Sequence, residues 1–452
     1  MFPRPRRSIV PRAIAGAALA VAITAQDRPP VPAEPATDGV DLVAAVDAVR
    51  AEVATLCGGP FERPVPTARQ TEDDMRAWSL RRVDDELGDG RLERLDAWLR
   101  CLQLLPADRS FRDAIAALLG SMTLGYYDSG TDRLYMLDRS AQLGLWYARF
   151  TAAHELTHAW DDQRIDLERL LRPGGADPTK DQLFARTAVV EGGAMAIADR
   201  WVGLHPPTEA DLQQLEAATR ADNARTMAAM AQAPRYCTLQ LGKHTVGRAF
   251  FAAGQEHRPA DAPPLSVAAL AADLPASTEQ LLHPEKYWDA EQRDPPIELV
   301  TGDSVAARIA EQTGLRVLEQ TTLGEMITAL LALPPEHRLR LGPHREVAYW
   351  TNPAAAGWGG DRLFVLGAGG GTAGVAVERP GVVWVTAWDT EADRAEFVEA
   401  LARHRGPIDG HVAARGRAAA FAFGSARSLD ADALGAVLER CRFRHGAADW
   451  QP

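Results

Sequence analysis

The chain has little cysteine, no long apolar run and no excess of positive charge. Its four cysteines, Cys57, Cys101, Cys237 and Cys441, are spaced too widely for a zinc-finger pattern. Either one or two disulfides, with Cys57 to Cys101 the most local pairing, or four buried thiols suit such a set. The apolar run at Ala13–Ala25, about 13 residues, is too short to cross a bilayer that needs roughly 20. A formal net charge of −12 disfavours nucleic acid and anionic membrane surfaces as partners. No internal repeat of useful length stands out. The run Gly367-Ala-Gly-Gly-Gly371 has neither the lysine nor the strand-to-helix placement of a phosphate loop, and reads as a hairpin loop.

What is present is a globular composition, 46% hydrophobic and 24% charged, in 452 residues, enough for more than one packed unit. Residues 1–25 read as a signal peptide: Arg4, Arg6, Arg7 and Arg12 precede the apolar run, and small residues at Ala20, Ala22 and Ala25 suit cleavage. The pair Arg6-Arg7 hints at twin-arginine export. Removing this segment leaves a net charge of −16. The expected location is therefore exported (periplasmic, cell-envelope or extracellular), with no stable membrane insertion after cleavage. Residues 26–40, rich in Pro, Ala and Asp, read as a flexible linker.

Apolar residues Leu42, Val46, Val49, Val53 and Leu56 recur at helical spacing, and Gly58-Gly59-Pro60 stops that helix. Helical patterning continues to about 120. Two apolar runs around Asp128-Ser129-Gly130 then predict a β-hairpin over 125–137. Helices follow from Leu143 to Ile165, from about Asp181 to Trp201 and on to about 255, with an irregular Pro-rich stretch to 300. Beyond it, strands are expected at 345–349, 363–367, 382–387 and 418–423, with helices at 323–333, 391–401 and 430–441. The whole reads as α+β. A mainly helical unit over 41–300 carries the hairpin, and a small α+β unit of open role occupies 301–452.

The chemistry centres on His154-Glu155-Leu156-Thr157-His158. Residues i and i+4 of a helix share a face, so both imidazoles reach one metal ion. Glu155, about 100° round the helix, falls beside the metal rather than on it. There it can take the proton of a water that the metal activates for attack on a carbonyl. Hydrolytic zinc needs a third protein ligand and an open position. Glu191 fits: it interrupts an apolar helical stripe (Phe184, Ala188, Met195, Ala198), where a carboxylate is costly unless it is paired or binds a metal. Gly192 and Gly193 beside it weaken the helix by about 1 kcal/mol each, which makes sense if something must approach closely.

The motif His-Glu-Leu-Thr-His-Ala followed by Val-Val-Glu-Gly-Gly-Ala resembles the gluzincin clan of zinc metallopeptidases, with two histidines on one helix and a glutamate on a later one. More narrowly the protein resembles a group of exported bacterial proteins of this kind. The marks are Gly125-Tyr-Tyr-Asp with Leu134-Tyr135, His154 to Gln163, Ser277 to Tyr287, Gly357 to Arg362 and Trp388 to Phe397. The resemblance implies a zincin-like fold for 41–300, a bound Zn2+, and peptidase activity on a peptide or protein. It also implies an acid soon after the third ligand to orient a histidine, commonly Asp where Gly193 stands here. Asp162, one turn beyond His158, is the local substitute, with Asp161 and Asp199 behind it; each is equally readable as a solvated acid. In the clan a Tyr or His from a later segment stabilises the oxyanion, and the candidates here are His283, Tyr287 and His244, in that order. The hairpin, with Tyr126, Tyr127 and Tyr135, either offers an edge strand to an extended peptide or is purely structural.

The expectation is thus an exported zinc peptidase with Glu155 as general base. Two rivals stay open: a catalytically weak zincin-like binding or envelope-assembly protein, and a zinc hydrolase of a non-peptide amide.

Overall fold

A computed structural model describes residues 40–173, 177–259, 264–334, 347, 350–405 and 411–452. The signal-peptide and linker expectations, and most of the strand expected at 345–349, lie outside these residues. The protein is α+β, mainly helical, with three small sheets among the described residues. No described helix is long and apolar enough to cross a membrane.

The first helix, Leu42–Cys57, starts where Asp41 accepts the backbone N–H groups of Val43 and Ala44, and ends at Gly58, whose φ of 98° only glycine adopts freely. Its face of Leu42, Ala45, Val46, Val49 and Val53 is buried against the motif helix, Leu145–Ile165. Three short strands lie beside that helix: β1 (Thr67–Gln70), β2 (Gly125–Asp128) and β3 (Arg133–Leu137). They are ordered β1-β3-β2, so the expected hairpin forms and β2 is left as an edge. β1, parallel to β3, is a four-residue strand that no alternation in the sequence announces.

The glutamate helix, Lys180–Leu204, opens with a capping box between Thr179 and Gln182. The crossing helix, Gly242–Glu256, packs against it at unusually short range. A Cβ on Gly247 would lie 1.8 Å from the carbonyl oxygen of Ala188, and one on Gly192 would lie 2.4 Å from the backbone of Gly247. Two glycines facing one another therefore let the backbones touch, which accounts for helix-weakening residues in the middle of both helices.

Beyond 300 the chain builds a five-stranded antiparallel sheet in the order β5-β6-β7-β9-β8. Its strands are Arg316–Thr321, Trp358–Gly367, Gly381–Trp388, Ala418–Gly424 and Val412–Arg415 respectively. The strands expected at 363–367, 382–387 and 418–423 fall within it; β5 and β8 were not foreseen. Helices Gly302–Thr313 and Ala431–Leu438 cover one face, packing Val305, Ile309, Leu434 and Val437 on Phe364, Val383 and Val385. The other face presents Leu363, Val365, Trp384 and Phe421, which belong to the same hydrophobic cluster as Trp98, Phe184, Val189 and Phe250. A third sheet pairs β4 (Glu298–Leu299) with the terminal hairpin, β10 (Phe443–His445) and β11 (Ala448–Trp450).

Polar groups tie the two parts together. Lys180 and Asp181 donate backbone N–H groups to Thr321 Oγ1 and the Thr322 carbonyl, at 3.0 and 3.1 Å. Asp181 Oδ1 accepts both the N–H (2.9 Å) and the hydroxyl (2.6 Å) of Thr278. Asp361 accepts the backbone N–H groups of Leu323 and Gly324 and the indole N–H of Trp358. The start of the glutamate helix is thereby fixed to the five-stranded sheet.

Candidate metal centre

His154 and His158 project from one face of the motif helix with their Nε2 atoms 3.1 Å apart. Glu191 Oε2, from the glutamate helix, is 3.2 Å from the first and 3.4 Å from the second. In a tetrahedral shell with bonds of 2.0–2.1 Å, ligand atoms stand about 3.3 Å from one another. The three donors thus have the spacing of one tetrahedral face. Two imidazoles and a carboxylate, with His154 only 7% exposed, are a donor set that suits zinc.

Charge is shared across this group. Burial lowers the pKa of His154 to about 4 against the pull of Glu191. Burial also opposes charge on His158, but the hydrogen bond and charge of Glu191 overcome it and lift the group to about 9. Burial works likewise against the Glu191 anion and is overcome by His244, His154 and His158, which hold its pKa well below the ordinary carboxylate value. These are coupled titrations of one cluster.

Glu155 is pushed up to about 7 by burial, with the His158 charge pulling the other way. Its Oε2 accepts the backbone N–H of Tyr127 at 3.0 Å, so the carboxylate is held between the motif helix and the edge strand β2. That N–H points away from β3 and toward the helix, which makes β2 part of the wall beside the donors.

The candidate oxyanion donors part company. His244, on the crossing helix, brings Nε2 to 3.1 Å from Glu191 Oε2 and stacks on the ring of His154, centroids 5.6 Å apart. His283 instead meets Glu325 at 3.0 Å, and Tyr287 donates to the Asp273 carbonyl while packing on Phe250. The structure brings His244 to the cluster, and gives His283 and Tyr287 partners elsewhere. The signal for His244 was the glycine pair, Gly192 and Gly247, which draws its helix onto Glu191.

The candidate orienting acids are engaged as follows. Asp162 accepts the Tyr127 hydroxyl (3.0 Å) and the Leu167 N–H (2.9 Å). Asp199 pairs with Arg248 at 2.6 and 2.9 Å. Asp161 is buried with one oxygen unpartnered, and burial raises its pKa to about 7. His154 Nδ1 is buried and has no hydrogen-bond partner among the described residues. At Gly193 a Cβ would meet Val267 Cγ2 at 2.4 Å, so apolar packing occupies that side of the helix. Of the hairpin tyrosines, Tyr126 is buried between Trp78 and Tyr135 and donates to Gln70, while Tyr127 spans Asp132 and Asp162.

The remaining segments singled out in the sequence meet at the junction of the two parts, not at the donors. Lys286 Nζ sits among Glu279 (2.5 Å), Asp294 (2.9 Å) and Asp389 (3.0 Å). Those three carboxylates have metal-like spacing, but the Lys286 ammonium already stands among them and is within ion-pair distance of each. All four cysteines are free thiols.

Residues 312–432, which contain the whole five-stranded sheet, match the profile of a family described as a domain of unknown function (DUF8575). No curated protein and no solved structure matches the sequence.

Proposed function

We propose that the protein is a zinc-dependent peptidase of gluzincin type, with a zincin-like unit spanning the motif and glutamate helices, and that it acts after export. The observation that carries this reading is the triangle of His154, His158 and Glu191 donors at 3.1, 3.2 and 3.4 Å with the Glu155 carboxylate beside it. A zinc ion held by these three would polarise a substrate carbonyl and render its water acidic. Glu155 takes the proton of the attacking water and returns it to the leaving amine, a role suited to a carboxyl whose pKa burial raises to about 7. His244, half exposed and beside Glu191, is placed to donate to the developing oxyanion. β2, the edge strand beside Glu155, is placed to orient an extended peptide.

One observation favours the catalytically weak alternative. Ligating histidines ordinarily donate their second N–H to an acceptor, and His154 Nδ1 has none among the described residues. Metal analysis of the wild type and of Glu191→Ala, with peptide-library digestion by the wild type and Glu155→Gln, decides the matter. Peptidase chemistry requires zinc in the wild type and its loss in Glu191→Ala, and cleavage by the wild type that Glu155→Gln lacks. Full zinc in Glu191→Ala rules out the ligand set, and equal digestion by Glu155→Gln rules out the base.

A further inference from the structure

The sequence has 49 basic residues, of which three are lysines: Lys180, Lys243 and Lys286. Lys180 pairs with Glu319 at 3.8 Å, and Lys286 is surrounded by three carboxylates. Lys243 has no hydrogen-bond or ion-pair partner among the described residues. Its Nζ lies 5.4 Å over the ring of Phe184, and the residue is half buried. The charges of Glu191 and Glu86 act on it only from beyond ion-pair distance, so the part-buried ammonium gains from an anion in direct contact.

Lys243 directly precedes His244, whose ring touches Glu191. Phe184 lies two helical turns before Glu191 on the same helix face, about 10 Å along the axis. Lys243 and Phe184 face a cavity of about 50 Å³ whose lining includes Leu183, Tyr236, Met326 and Ile327. That is room for roughly four waters, or one carboxymethyl-sized group. Beside the Lys243 ammonium and the Tyr236 hydroxyl, Gln240, Thr278 and Lys180 also line the cavity, but the Thr278 hydroxyl is given to Asp181 and Lys180 is paired with Glu319; Leu323, Met326 and Ile327 come from the C-terminal part. About 10 Å is the reach of an extended peptide of two residues plus a side chain or terminus.

We infer that Lys243 receives a carboxylate of the substrate, and that the protein acts on peptides carrying a free carboxylate within about two residues of the bond cleaved. This rests on the peptidase reading above. An acidic side chain and a free C-terminal carboxylate supply the same chemistry. A lysine that merely balanced the charge of Glu191 would affect every substrate alike, whereas a selecting lysine changes the ratio between substrates.

The test takes a peptide cut by the wild-type protein and compares matched pairs: an acidic residue near the bond against its amide isostere, and a free C-terminus against a C-terminal amide. Wild type is expected to favour the carboxylate member of one pair by about 10- to 100-fold in kcat/KM, the worth of one hydrogen bond to a charged group. Whichever pair shows the effect identifies the source. Lys243→Met should bring that ratio to about 1, Lys243→Arg should retain it, and Lys243→Glu should turn it toward a lysine-bearing peptide. An unchanged ratio in Lys243→Met, or no preference in either pair, overturns the inference. Binding of the same fluorescently tagged pairs to Glu155→Gln, with and without Lys243→Met, keeps the two readings separable. Should no peptide be cleaved, the peptidase reading fails, while carboxylate-dependent binding that Lys243→Met abolishes still supports the site and its absence still refutes it.

Discussion

The backbone N–H of Tyr127 donates to Glu155 at 3.0 Å, so an edge strand holds the carboxylate that stands beside the metal-type donors. This bond favours the anion and partly offsets the burial that raises the pKa of Glu155 to about 7. Tyr127→Pro removes the donor at an edge position whose N–H does not serve the sheet. The acid limb of the pH–activity profile should then move to higher pH, because the base needs less acid conditions to ionise. Tyr127→Phe, which loses only the hydroxyl contacts with Asp132 and Asp162, should leave the limb in place. Coincident profiles for the proline variant and the wild type would refute this account of the Glu155 carboxylate.

The approach of Gly247 to Ala188 sets the position of His244. Gly247→Ala would drive a methyl to 1.8 Å from a backbone oxygen, where no rotamer change relieves the clash. The helices must separate, at a cost of at least about 2 kcal/mol, and His244 moves away from Glu191. Gly203→Ala, in the same glutamate helix but with no atom within 4 Å, should stabilise by about 0.5–1 kcal/mol. Thermal unfolding of the two variants should therefore shift in opposite directions.

The donor set was legible in the sequence because its geometry is local or nearly so. One helical turn fixes His154 against His158, and a buried apolar stripe marks Glu191 as a carboxylate needing a partner. The hairpin and the three central strands of the five-stranded sheet were legible for the same reason, as apolar runs between turn residues. What escaped depends on contacts between distant segments. His283 and Tyr287 ranked above His244 in the sequence, whereas a glycine-to-glycine helix crossing decides which histidine reaches Glu191. Strand β1 pairs in parallel with β3 across 66 residues and carries no pattern of its own. Within Ser277–Tyr287, His283 and Tyr287 read as oxyanion donors, yet Thr278, Glu279 and His283 bind Asp181, Lys286 and Glu325 at the junction of the two parts.

That junction should make the fold lose stability as pH rises through a defined window. Burial raises the pKa of Asp181 to about 7, opposed by its bonds from Thr278 and assisted by Asp361 and Glu325. Unfolded, an aspartate titrates near 4. Between about pH 4 and 7 the folded state binds the extra proton, so stability is greatest below this window and falls as pH rises through it. Asp181→Asn keeps an oxygen for both Thr278 bonds and cannot ionise. The stability of the variant relative to wild type should grow across the window, by no more than about 1.4 kcal/mol per pH unit, and be level below pH 4. Denaturant midpoints measured through the window check this; parallel curves would count against a protonated Asp181.

Metal retention is expected to be the weak point of the site. The three donors are spaced to hold a metal ion, but the buried Nδ1 of His154 lacks, among the described residues, the acceptor that ordinarily fixes a ligating imidazole. Loss of such a partner lowers metal affinity by about 10- to 100-fold. A ligand that binds only the folded state stabilises it by about 2.7 kcal/mol at 100 times its dissociation constant, and by less as the free concentration falls. The melting temperature should therefore climb with added zinc over an accessible concentration range and drop on treatment with a mild chelator. Glu191→Ala, with one of the three donors gone, should melt at the same temperature with or without zinc. A zinc-independent melting temperature in the wild type would instead mean that His154, His158 and Glu191 stabilise one another as a hydrogen-bonded cluster, with the shared proton on His158 taking the place assigned to the ion.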